Sequence, residues 1–199
     1  VNRLIDYQDE AYAEQWLECL LSLIDRDEDR SDYSLSLEAG RHLALWMAYE
    51  DIPRVAQLKV RPAREDQIRS EVNADSDQPM TGAEFFHPRV EEVAAVLPRR
   101  GGAALLRSET LRRLLGRRLG PRTLRTDRIS MPLVVRGLSG LRRFRRSTLG
   151  YANEHQMIER WFEKVLTSCD QAKSRAVAEL GGMVKGYGDT RYRTTSRLM

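Results

Sequence analysis

Ten residues near the end of the chain, VKGYGDTRYR at 184–193, set a lysine, a tyrosine, an aspartate and two arginines around two glycines. Such a mixture is what phosphate binding asks for. Glycine lets backbone N–H groups approach an anion, and Lys185 and Arg191 would neutralise it. The phosphate-binding loop, however, requires GxxxxGK[ST] between a strand and a helix, with the helix N-terminus facing the anion. Here Gly186 follows a helical stretch, where unsatisfied carbonyls make the local field negative. Lys185 with Gly186 or Gly188 therefore reads first as a helix stop, and Tyr187, Asp189 and Arg191 as candidate interface residues.

Other reactive side chains are scattered. His42, His87 and His155 fall in no recognisable metal motif, and the acidic run at 25–32 lacks the glycine and terminal glutamate of a calcium loop. Asp6, Asp9 and Glu10 suffice as complements of a positive helix N-terminus. Cys19 and Cys169, far apart and without companion ligands, read as buried free thiols in a reducing cytoplasm. The sequence holds no GxSxG, HExxH, GxGxxG or CxxC. No catalytic, cofactor-binding or metal residue is assigned.

Charge is segregated along the chain. Residues 1–98 carry ten Lys/Arg against twenty-one Asp/Glu, whereas residues 99–146 carry fifteen arginines against Glu109 and Asp127. Arg112, Arg113, Arg117, Arg118, Arg142, Arg143, Arg145 and Arg146 form two clusters able to neutralise phosphates or to grip carboxylates in bidentate fashion. Phe144 is the only aromatic within 99–146, too few for base stacking. Acidic contacts within the chain or between subunits are therefore favoured, with a solvated face and a nucleic acid or other polyanion as alternatives.

The elements that must position these residues are helices. Ala13, Trp16, Leu17, Leu20, Leu21 and Ile24 recur at three and four, predicting one helix from Ile5 to Ile24 with that stripe inward. The polar run 25–32 reads as a surface loop without an apolar anchor. Further helices are expected over Leu35–Tyr49, from Asp51 and Pro53 onward, over Arg64–Val72, and after Pro88. Residues 73–83 read as loop, and Gly101-Gly102 as a separator before an arginine-rich helix that Gly120-Pro121 ends. One strand is conceivable over 125–135, although Pro132 interrupts it. In the last third, Leu138, Leu141, Leu149, Met157, Ile158, Trp161, Phe162 and Val165 are core candidates. Asp170 would cap a final helix running through Lys185 with Ala172, Ala176, Leu180, Met183 and Val184 inward.

The expectation is an all-α, irregular bundle of seven or eight helices with at most one short strand pair, forming a single domain over 1–199. No apolar run is long enough for a membrane span and no signal peptide is visible, so a cytoplasmic location is expected. The initial Val1 suggests a fragment of a longer polypeptide.

Four stretches resemble, in order, the C-terminal helical region of the indolepyruvate ferredoxin oxidoreductase beta subunit, a 2-oxoacid:ferredoxin oxidoreductase. They are LIDYQDEAYAEQWL at 4–17, LALWMAYEDIPRVAQLKV at 43–60, LRRFRRSTLGYANEHQMIERW at 141–161 and LGGMVKGYGDTRYR at 180–193. The resemblance implies a complex that oxidatively decarboxylates aryl pyruvates with coenzyme A and passes electrons to ferredoxin. Thiamine diphosphate and iron–sulfur clusters would then lie on other domains or subunits, since two cysteines cannot ligate a cluster. DTRYR stands where the family more usually has a histidine after GYGDT. The chain would be an accessory domain without independent catalysis. It would dock on an upstream gamma-type domain or the catalytic subunit, with homodimer formation also open. Gating of coenzyme A access is a weaker option. The rival from another class is a basic nucleic-acid-binding or regulatory helical module.

Overall fold

The computed structural model describes residues 1–28, 32–75, 78, 83–86, 88–120, 122–125 and 130–184. Among them the chain is mostly helical. The helices are α1 (Asn2–Tyr7), α2 (Glu10–Ile24), α3 (Ser34–Met47), α4 (Ile52–Lys59), α5 (Pro62–Glu71), α6 (Val90–Val96), α7 (Arg99–Arg107), α8 (Glu109–Arg118), α9 (Ser130–Gly140), α10 (Leu149–Thr167) and α11 (Gln171–Leu180). Two short 3-10 turns cover Leu141–Ser147 and Gly181–Met183. Strands β1 (Ala83–Phe86) and β2 (Arg122–Arg125) pair antiparallel, Ala83 opposite Arg125 and Phe86 opposite Arg122.

Among the described residues eleven α-helices replace the expected seven or eight, because polar side chains restart the backbone inside apolar patterns. Asp9 Oδ1 accepts from the Tyr12 N–H at 2.9 Å, which starts α2 and cuts the expected Ile5–Ile24 helix in two. Ser108 Oγ accepts from the Leu111 N–H at 3.3 Å and divides α7 from α8. Each such cap is worth about 1 kcal/mol. Conversely, Gly101-Gly102 separates nothing and lies inside α7. The 125–135 stretch is no single strand: β2 ends at Arg125, and α9 takes over from Ser130 with Pro132 in its first turn. There proline's missing N–H costs nothing. The last helix stops at Leu180 rather than Lys185.

The chain divides into two compact units, Val1–Glu50 with Asn153–Met199, and Asp51–Ala152.

In the first unit α3 lies against α2 and α11. Leu35, Ala39, Leu43, Trp46 and Met47 are buried along α3, as its spacing predicts. The Trp46 and Trp161 rings sit 4.9 Å apart between centroids, and each indole N–H finds a carbonyl, Gly181 and Val177 respectively. The stripe expected on α2 is displaced. Tyr12, Ala13 and Leu23 are buried, whereas Leu17 and Leu21 are 40% and 62% exposed. On α11, Ser174 and Ala178 face inward, while Ala172 and Ala176 are exposed and Leu180 and Met183 largely so. Among the residues expected inward there, Val184 alone is buried.

The run after α2 is anchored after all. Asp27 is 3% exposed, and its carboxylate accepts from the Ser36 N–H (2.8 Å), the Ser36 hydroxyl (2.6 Å) and the Gln171 amide (2.7 Å). Tyr33 precedes α3 with φ 49° and offers no capping oxygen, so Asp27 supplies one from a distance.

In the second unit α4 packs on α9, and α6 on α7. The Leu149 N–H donates to the Leu97 carbonyl, and Pro98 bridges Thr148. Close approach there needs glycine: a Cβ on Gly102 would meet the Ala94 carbonyl oxygen at 2.4 Å.

Candidate functional site

Two groups of arginines carry the sequence's clearest functional signal, and the structure treats them differently. On α8, Arg112, Arg113, Arg117 and Arg118 are all exposed, and no residue of this helix is buried. Arg112 reaches Glu91 of α6 at 3.3 Å, and Arg113 reaches Glu109, one turn earlier, at 2.5 Å. These four charges and Val90 line an open depression of about 290 Å³. Two guanidiniums balance two carboxylates, so the hollow itself favours neither anions nor cations. Arg117 lies outside it with no ion pair among the described residues.

The second group lies in the turn Leu141–Ser147. Arg143 and Arg146 are exposed and Arg142 is half-buried. Arg145 is 1% exposed and bidentate on Asp51, with Nε to Oδ2 at 2.6 Å and Nη2 to Oδ1 at 2.9 Å. The same Oδ1 caps α4, accepting from the Arg54 N–H at 2.7 Å. This carboxylate is held from two directions, and its charge is neutralised where water is scarce. Arg145 therefore belongs to the interior of its unit and leaves the candidate docking surface. Lys185, Tyr187, Asp189 and Arg191 lie outside the described residues.

Within the first unit, a polar and aromatic cluster surrounds Tyr12. Its hydroxyl is 3.0 Å from the Met47 carbonyl and 2.9 Å from His155 Nε2. A phenol has one proton to give. If it goes to the carbonyl, which can only accept, His155 must carry its own proton on Nε2 and donate to the phenol oxygen. Tyr7 stands 5.9 Å from both Tyr12 and Tyr49, ring centroid to ring centroid. Sequence spacing did not single out this cluster, because its members come from three separate stretches.

A second histidine makes a local pair. His42, nearly buried, contacts Glu38 at 2.8 Å, and Glu38 also takes Arg41 at 2.7 Å. The guanidinium holds the Glu38 carboxyl below its ordinary pKa, with His42 contributing less. A Cβ on Gly182 would come within 2.9 Å of the His42 ring. His42 is thus wedged beneath the 3-10 turn that ends the last helix.

The thiols are unlike each other. Burial, helped by the neighbouring Glu18 carboxylate, pushes the Cys19 thiol up and keeps it protonated. Cys169 is exposed, with Lys173 Nζ 3.0 Å from its sulfur, and contact with that sulfur and with Asp170 raises the Lys173 pKa. No group of three His, Cys, Asp or Glu among the described residues could hold a metal ion, and no helix is long and apolar enough to cross a membrane. Cys19 and Cys169 are fewer than the four thiolates that an iron–sulfur cluster takes.

The described polar side chains mostly close caps, carbonyls and ion pairs, and the described part of the protein is mostly helical. The chain belongs to DUF6537, a family of unknown function whose model matches residues 1–199. No curated protein matches it, and no solved structure does.

Proposed function

We infer that the chain is a helical accessory region of an aryl 2-oxoacid:ferredoxin oxidoreductase. It docks on the gamma-type domain or the catalytic subunit and leaves bond-making to thiamine diphosphate and iron–sulfur clusters carried elsewhere in the complex. The exposed arginines of α8 and of the 141–147 turn are its docking candidates, and Lys185, Tyr187, Asp189 and Arg191 are further ones.

The observation that supports this reading is where the four resembling stretches make their contacts. Tyr12 of the first meets Met47 of the second and His155 of the third, Trp46 of the second donates to Gly181 of the fourth, and Asp51 of the second grips Arg145 of the third. A chance likeness would scatter over exposed positions. This one falls on residues whose mutual contacts hold each unit together.

The test uses the full polypeptide that contains this chain. Purified together with the catalytic subunit, it should oxidise an aryl pyruvate with coenzyme A and reduce ferredoxin. Replacing Arg142, Arg143 and Arg146 by glutamate should release the partner domain or subunit while helicity is kept; Arg145 is left intact because it is buried. Turnover by residues 1–199 alone would overturn the reading. So would steep salt-dependent retention on DNA or RNA without any oxidoreductase activity in the full polypeptide.

A further inference from the structure

The exposed face of α2 is an unneutralised acidic stripe. Glu10, Glu14, Leu17, Glu18, Leu21 and Asp25 succeed one another at intervals that return to one side of a helix. All six are exposed. Glu10 faces Glu14, and Glu14 faces Glu18, one turn apart, and such like-charge pairs oppose helix formation. Among the described residues none of the four acids makes an ion pair, and α2 contains no lysine or arginine. Scattered surface leucines need no explanation, but Leu17 and Leu21 lie inside this stripe at 40% and 62% exposure.

Helix α8 carries the opposite pattern. Leu111, Leu114 and Arg118 follow at three and four residues, with Arg117 beside them, and the two leucines are 46% and 52% exposed. Four arginines stand against one glutamate along its length. Both helices exceed two turns, and each presents two leucines about one turn apart, so the apolar pairs can meet while the charges flank them. Opposed potentials would set the register of such a contact and steer its formation.

The geometry points to the occupant of each stripe: the acidic face of α2 in one copy of this chain docks on the basic face of α8 in a second copy. Each copy offers both halves, so the contact either closes twice in a symmetric pair or propagates head to tail. This rests on the functional reading above only in taking α8 as a contact surface; it names the partner as the chain itself.

Reciprocal charge exchange tests it. The 199-residue chain is followed by light scattering over a range of concentrations, and association is expected that weakens as salt rises. Glu14→Arg with Glu18→Arg should weaken it about tenfold or more, and so should Arg117→Glu with Arg118→Glu. Both variants should keep their helical circular dichroism, because the first keeps one like-charge pair and makes the other, Glu10 with position 14, an opposite-charge pair, and α8 buries no residue. Mixing the two variants should restore association between them. A chain that stays monomeric at all concentrations overturns the proposal, including one that only compacts at low salt. Variants that associate like the parent, or a mixture that does not recover, overturn it equally. Binding of the oxidoreductase partner is measured separately on the same samples. A monomer that still binds that partner removes this contact alone; a self-associating chain that binds none removes the functional reading alone.

Discussion

RRLLGRR in α8 and LRRFRRS at 141–147 look alike as strings, each with four arginines in seven residues, yet they end in different places. Every arginine of α8 stays in solvent, and its acidic partners are themselves exposed on α6 and on α8. In the 141–147 turn one arginine is withdrawn almost completely, because a carboxylate is already fixed there. Asp51 must stand at the start of α4 to cap it, and its second oxygen is left needing a donor. The lesson is that a run of like charges is no unit of function. What decides each arginine's fate is whether an acid has been placed by some other structural duty.

The largest effect separates the two regions outright. Arg145→Met leaves the Asp51 carboxylate, 14% exposed, without its guanidinium, and breaking such a largely buried pair costs about 3 kcal/mol. Chemical denaturation should show that loss, while Arg117→Met on α8 changes the unfolding free energy by no more than about 0.5 kcal/mol. Adding Asp51→Asn to Arg145→Met should recover part of the loss, since asparagine caps α4 nearly as well and buries no charge. Equal sensitivity of Arg145 and Arg117 would erase the distinction.

Two glycines of the arginine-rich block sharpen it from the backbone side. Gly102 lies where a Cβ would press on the Ala94 carbonyl at 2.4 Å and on Leu149 Cβ at 3.0 Å, so Gly102→Ala must push apart a packed junction, at about 1–3 kcal/mol. Gly116 sits mid-helix in α8, where a Cβ would find only Val90 Cγ2 at 3.7 Å, an ordinary contact. Gly116→Ala should therefore stabilise by roughly 0.5–1 kcal/mol through helix propensity alone. Thermal melts of the two variants should move in opposite directions.

Helical class was legible in the spacing of apolar residues, and so was the buried face of α3. What escaped was set by single polar atoms. Nothing in the α2 pattern reveals that Asp9 would restart the helix, or that Leu17 and Leu21 would face water while Leu23 turned inward. Asp9 restarts the helix by accepting from the Tyr12 N–H, and packing against α3 decides which face of α2 turns inward. Asp27 looked like one more acid in a polar run. Its burial depends on Ser36 and Gln171, the second 144 positions away, and no local rule reaches that far. Bidentate pairing between the arginine block and the acid-rich N-terminal half was foreseeable in kind, and Arg145 with Asp51 is an instance of it. Which of eight arginines would do so was not, because the answer lies in the cap of α4.

The smallest prediction concerns the pair that most resembles Arg145–Asp51 on paper. Arg113 and Glu109 are also in hydrogen-bond contact, at 2.5 Å, with the glutamate four residues earlier on the same helix. Their side chains are 72% and 73% exposed, however, and water already satisfies both in the unfolded chain. Such a pair is worth about 0.2–0.5 kcal/mol, and salt screens it. A double-mutant cycle with Arg113→Ala and Glu109→Ala should give a coupling of that size in dilute buffer and close to zero near 1 M salt, where charges are screened beyond about 3 Å. The same cycle on Arg145→Met and Asp51→Asn should keep most of its coupling at high salt, because counterions do not reach a guanidinium that is 1% exposed. If the two couplings fall together, the buried pair is wetter than its geometry indicates, and the contrast between the two arginine clusters is one of degree only.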